Sequence, residues 1–298
     1  MPSVNEIINE RLNRIDSIPD KFINGVGSIQ AEIFAELIAI LGELNLGESF
    51  VLNEANLARI EDLMNRYYQS LRSGKYGQYV SWYISQIDEQ KNLIDEFANL
   101  EYNAAASAVA EGVFLSSKKI AIRQLLGDDF KTNFINVVRD NLISSIEGQA
   151  NFTEMVQNMS ALFDGQERNA QMLNWTKQIA SDRFAITDRA YGAAIATELD
   201  LVFFQYLGGL VKDSRKFCID RVNKFFHVNE ARAWAKLDWA GKFRNTNEEN
   251  ILQWCGGWRC NHVPVFRSLS SVPRVDIERN ISNGNFTPSK AEKSLLNL

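Results

Sequence analysis

LVFFQYLGG, residues 201–209, interrupts a sequence that up to this point reads as helix. Its short run of aromatic and branched side chains, stopped by Gly208 and Gly209, predicts a β-strand. KFFHV at 224–228 and HVPVF at 262–266 predict two more strands, and NEARAWAKL predicts a helix beginning at Asn229. The expected fold is therefore mainly α: a helical body over 1–199, a small α+β module over 200–267, and an extended polar tail over 268–298. The tail, SLSSVPRVDIERNISNGNFTPSKAEKSLLNL, has too few apolar residues for a core of its own. Free, it is expected to be disordered; in an assembly it would lay Ile277, Ile281, Phe286 and Leu295 against a neighbour.

The body is read from its periodicity. The prolines stand at 2, 19, 264, 273 and 288, so nothing between 20 and 263 carries the roughly 3 kcal/mol cost of proline inside a helix. Leu57, Ile60, Leu63, Met64, Tyr67, Tyr68 and Leu71 recur at i, i+3 and i+4 spacing after a start at Asn53. Ile29, Ile33, Phe34, Leu37, Ile38 and Leu41 form an earlier face, and Val80, Tyr83, Ile84, Ile87, Leu93, Ile94 and Phe97 a later one. NAAASAVAEG at 103–112 offers small side chains for close helix packing. Phe130, Phe134, Val137, Val138, Leu142 and Ile146 mark another helix, ended by Gly148. Asn151 caps a short helix over 152–163, closed by DGQ, and a long helix follows over 168–197.

Composition narrows the function classes. A hydrophobic content of 45% and a charged content of 23% fit a globular chain with a sizeable core. The net charge of −5 argues against a protein that coats nucleic acid, although a local contact with DNA stays open without a basic stretch to mark it. No stretch has the apolar length of a membrane span, and MPSVNEIINERLNRIDSIPDKF has no signal-peptide core. Three cysteines, an odd number, do not make a secreted disulfide framework and point to a reducing cytoplasm, or to an assembly built inside one.

All three cysteines and both histidines fall between Cys218 and His262, with four of the six tryptophans. These are the soft metal ligands, and a small module gains stability from a structural metal. Cys218, Cys260 and His262 are the first three candidate ligands for a structural zinc ion, with His227 or Cys255 as the fourth. Cys260 and His262 are two apart, which on extended chain turns both to one face. The alternative is that the cysteines are packing residues and the histidines hydrogen-bonded core or surface residues.

Three separated pieces carry a resemblance. SDRFAITDRAYGAA (181–194) leads into the aromatic strand; DSRKFC (213–218) supplies Asp213, Arg215 and Cys218; Cys260 and His262 close the pattern. Residues of about 150–267 thus resemble the phage head morphogenesis family, whose namesake is the minor head protein F of phage Mu. The common form of its motif has a second cysteine three positions after the first, where this chain has Arg221. The resemblance implies a minor structural protein of the virion head, assembled in the bacterial host cytoplasm and associated with the portal vertex or the capsid interior. Its implied partners are the portal protein, the major capsid protein, or both, with self-association also open and no membrane.

Read without the family, Asp213 and Arg215 are alternate residues expected to form an ion pair. The rival function is a metal-dependent nuclease of the HNH type, in which CNH (260–262) would act with His227. HExxH, Walker A, G-x-S-x-G and G-x-G-x-x-G signatures are absent from the sequence, and the chain is not expected to be an enzyme.

Overall fold

The computed structural model describes residues 2–44, 52–160, 162–163 and 171–296. The expected DGQ stop and residues 168–170 lie outside them. In chain order the first helices are α1 (Val4–Ser28), α2 (Gln30–Gly42), α3 (Glu54–Ser73), α4 (Lys75–Tyr102) and α5 (Ala108–Leu126). Next come α6 (Asp128–Phe130), a π-helical turn (Lys131–Ile135), α7 (Asn136–Glu147), α8 (Phe152–Ser160) and α9 (Gln171–Glu198). The module then runs β1 (Phe203–Leu207), α10 (Lys216–Ile219), β2 (Phe225–His227), α11 (Val228–Trp234), α12 (Ile251–Trp254) and β3 (Val263–Arg267). Two helices follow, α13 (Arg274–Ser282) and α14 (Lys290–Leu296), so the fold is mainly α with one small sheet.

The compact units do not divide at residue 199. One gathers 18–85 and 119–180, the other 1–17, 86–118 and 181–298. In the first, helices form where caps and apolar periodicity agree. Asn53 accepts a hydrogen bond from the Asn56 amide at 2.9 Å, and α3 buries Ile60, Leu63, Met64, Tyr67, Tyr68 and Leu71. Asn151 and Glu154 cap the start of α8 reciprocally. Aromatic rings fill the core: Phe22 lies 4.7 Å from Tyr83, Tyr76 5.0 Å from Phe130, and Phe130 5.3 Å from Phe134. The buried Tyr76 hydroxyl donates to the Leu125 carbonyl at 2.6 Å, so its polar end is satisfied.

In the second unit, early helical residues belong with the sheet module. Buried Arg11 pairs with buried Asp188 at 3.0 Å, and Gln90 donates to the same carboxylate at 2.8 Å. Tyr102 donates to the Phe266 carbonyl on β3. Periodicity marks which face of a helix is buried but says nothing about which distant segment covers it.

The sheet has the order β2-β1-β3, both pairs antiparallel. Pro264 has no amide to donate and sits on an edge strand. Pairing sorts the side chains onto two faces, since directly opposed residues share one. Phe204, Tyr206, Phe226 and Phe266 lie on one, packed with Phe217, Trp234 and Ile251. Phe203, paired with His227, lies on the other, covered by Val272, Ile277 and Phe286. The segment after 267 is thus not an extended free tail: its few apolar residues cap the second face of the sheet. Ile277 and Phe286 are spent inside the chain, Ile281 packs beside them, and of the four expected arm residues only Leu295 is exposed.

Among the described residues no single helix is long and apolar enough to cross a membrane. α1 and α2 pass such a test only as a pair bent by 43°, and their Phe22, Val26, Leu37 and Leu41 are buried in the fold.

Candidate metal centre

Three short elements bring the cluster together. DSRKFC turns into the single helical turn α10, which buries Cys218. After α12 the chain reverses through Cys255, Gly257 and Arg259, all at positive φ, and delivers Cys260 and then His262 to the start of β3. Positive φ is costly for Cys255 and Arg259, and the contacts of this loop hold it. The Trp239 indole donates to the Gly256 carbonyl at 2.8 Å, the Arg259 amide donates to Asp182 at 2.6 Å, and Arg215 donates to the Trp258 carbonyl.

Buried Arg189 of α9 grips the same loop. Its guanidinium donates to the carbonyls of Gln253, Cys260 at 2.8 Å and His262 at 3.0 Å. One side chain from the helix thus fixes the backbone of both closing ligand candidates, using the forked donor geometry that lysine lacks.

The result is a buried group of Cys218, Cys260 and His262 whose ligand atoms all lie within 4.8 Å of one another, and which could hold a metal ion. The two sulfurs are 3.9 Å apart, and Cys260 Sγ is 3.8 Å from His262 Nδ1. All three cysteines are free thiols. The Gly256 amide donates to Cys260 Sγ at 3.3 Å, and a Cβ on Gly256 would stand 2.6 Å from Cys218 Sγ and 2.9 Å from Cys260 Sγ. Only glycine leaves the sulfurs that room. His262 Nε2 is buried without a hydrogen-bond partner, while the ring stacks on Tyr206 at 5.2 Å.

The electrostatics favour a thiolate at one of the two sulfurs. The Cys218 thiol donating to Cys260 holds the Cys260 thiol well below its ordinary value against the opposing effect of burial, and His262 and the Arg189 charge act the same way. Cys218 is correspondingly pushed up, first by its hydrogen bond to Cys260 and then by burial. Burial pushes Cys255 up to about 12. Burial also raises Asp182 to about 6, opposed by the Arg259 amide and the Arg189 charge.

Of the five ligand candidates, the structure brings together three. His227 is on the other face of the sheet, where it packs on Phe203 and Phe286 and accepts from the Asn229 amide at 3.1 Å. Burial pushes its ring down to about 4, with the Arg232 charge adding to the effect. It therefore serves as neither fourth ligand nor HNH partner of His262. Cys255 also falls outside the group, its thiol donating to the Leu252 carbonyl at 3.2 Å. Arg221, at the position of the family's second cysteine, stacks its guanidinium on Phe217 and Trp234 at 4.0 and 4.5 Å. The expected Asp213–Arg215 pair does not form among the described ion pairs, because Arg215 turns to the Trp258 carbonyl.

Sequence reading passed over Tyr206, Arg189 and Gly256. Tyr206 looks like one more apolar strand residue, and Arg189 like one charge on a helix. No protein-family model matches this chain, and neither a curated protein nor a solved structure does.

Proposed function

We propose that this chain is a minor structural protein of a tailed-phage virion, sited at the portal vertex or the capsid interior and acting in head assembly or in genome packaging and delivery. The observation that supports it is convergence. The helix, the turn and the closing motif that carry the family resemblance are far apart in sequence, yet Arg189, Cys218, Cys260 and His262 meet in one buried site. The portal protein or the major capsid protein is the proposed partner. The metal is proposed to be zinc, which takes thiolate and imidazole ligands at low coordination number, in a structural role.

The test is incorporation. A tagged copy expressed in the bacterial host during phage growth should copurify with heads at a few copies per particle, and with portal or capsid protein from disrupted particles. Absence from purified heads refutes the reading. Nicking of supercoiled DNA by the pure protein with Mg²⁺ or Zn²⁺ would replace it with the nuclease. Elemental analysis should give about one zinc per chain, lost in Cys260→Ala with a lower Tm; a fully stable metal-free protein removes zinc from the account.

A further inference from the structure

We infer that Tyr206 is the fourth ligand of the metal centre, closing a Cys218, Cys260, His262, Tyr206 site. This rests on the metal reading above and adds to it the identity of the missing ligand and the closed character of the site.

Tyr206 is fully buried on the middle strand, on the face that carries the cluster. A buried phenol normally spends its hydroxyl on an oxygen or nitrogen partner. Here the hydroxyl lies 3.7 Å from Cys218 Sγ and 3.7 Å from Cys260 Sγ, and sulfur is a weak partner. The distances are those of a coordination shell. With Zn–S near 2.3 Å and tetrahedral angles, two ligand sulfurs sit about 3.8 Å apart, and a sulfur and an oxygen or nitrogen about 3.5 Å apart. The sulfur pair at 3.9 Å, the two sulfur–oxygen distances at 3.7 Å and the sulfur–nitrogen distance at 3.8 Å come within a few tenths of an ångström of four of that tetrahedron's six edges.

The rings are positioned for it. Tyr206 and His262 are stacked within 13° of parallel, so the phenol oxygen and the imidazole approach the sulfurs side by side. Three protein ligands alone would leave a position for water, the arrangement of catalytic zinc; a fourth makes the site structural. On metal entry the phenol proton leaves to the buffer. Arg189 then offsets the added negative charge from the carbonyl side of the loop.

The experiment uses the full chain loaded with Co²⁺, whose visible spectrum reports coordination, and azide as the probe for an open position. Wild type should show a four-coordinate spectrum that azide does not change, together with the near-ultraviolet difference band of a metal-bound phenolate. Tyr206→Phe should bind zinc at least about tenfold more weakly, and its Co²⁺ spectrum should shift with azide. Tyr206→His, which keeps a donor on a ring, should stay azide-insensitive. A wild-type spectrum that azide shifts overturns the proposal, as does a Tyr206→Phe protein indistinguishable from wild type. Should Tyr206→Phe not fold, the wild-type phenolate band decides alone, its absence overturning the assignment. No metal uptake by wild type refutes the metal reading itself, a different result from an open three-ligand site.

Discussion

Replacing Arg189 by methionine tests the clamp at the root of the module. The guanidinium is buried and supplies donors to the Gln253, Cys260 and His262 carbonyls. Methionine fills much of the same volume and supplies none. Each buried acceptor left without a partner costs about 1–3 kcal/mol, offset in part because a buried cation and its desolvation penalty are also removed. The net loss should be about 3–5 kcal/mol. Arg189→Lys keeps the charge but reaches fewer carbonyls and should lose about half as much. Urea unfolding followed by tryptophan fluorescence measures it, since Trp234 and Trp239 pack in the core of this module and Trp254 and Trp258 bracket the turn at Gly256. Zinc affinity should fall in parallel by about tenfold, because both closing ligands lose the anchor of their backbone. An Arg189→Met protein within about 1 kcal/mol of wild type, with unchanged zinc affinity, would refute the argument.

Phe134→Ala should cost about 3–5 kcal/mol in the same assay, because the ring is buried against Phe130 and Phe163; a loss below about 1 kcal/mol would place it at the surface. Phe286→Ala should cost about 3 kcal/mol, since its ring meets Phe203 edge-on at 5.1 Å, whereas an uncoupled tail would leave stability unchanged. His227 is held below its ordinary value, to about 4, so the fold favours the neutral ring. Its contribution is present above about pH 6.5 and lost as the pH falls toward 4, on the order of 3 kcal/mol. The difference in unfolding free energy between wild type and His227→Gln should shrink over that range, and a pH-independent difference would show that the ring titrates normally.

The three strands were legible because aromatic and branched runs stopped by glycine have few other readings. LVFFQYLGG and KFFHV contain the observed strands within a residue or two of their ends, and HVPVF stops one residue short of Arg267. Cys218, Cys260 and His262 were legible as candidate ligands from residue type alone. That His227 stands apart from them was not legible, because it depends on strand parity: His227 pairs with Phe203, on the face opposite Tyr206, which pairs with Pro264. The role of the last thirty residues was hidden for a related reason. Ile277 and Phe286 are too few for a core, but they need only cover one face of a small sheet, and the sequence does not disclose that this face lacks a cover. The division of the helices between two units was equally out of reach, since Arg11 and Asp188 are ordinary charges until they meet.

The long reach of those contacts bears on how the chain is made. Arg11 and Asp188 stand 177 positions apart, and Asp16 and Asn261, joined at 2.9 Å, stand 245 apart. During synthesis the first turns of α1 therefore emerge with Ile7, Ile8 and Ile15 bare, and their partners are translated only much later. The unit of 18–85 and 119–180 has its whole sequence available sooner and can fold while the other still waits. Closing such long loops slows folding, and apolar surface left open in the meantime invites aggregation. Slower growth or a holdase chaperone should raise the soluble yield.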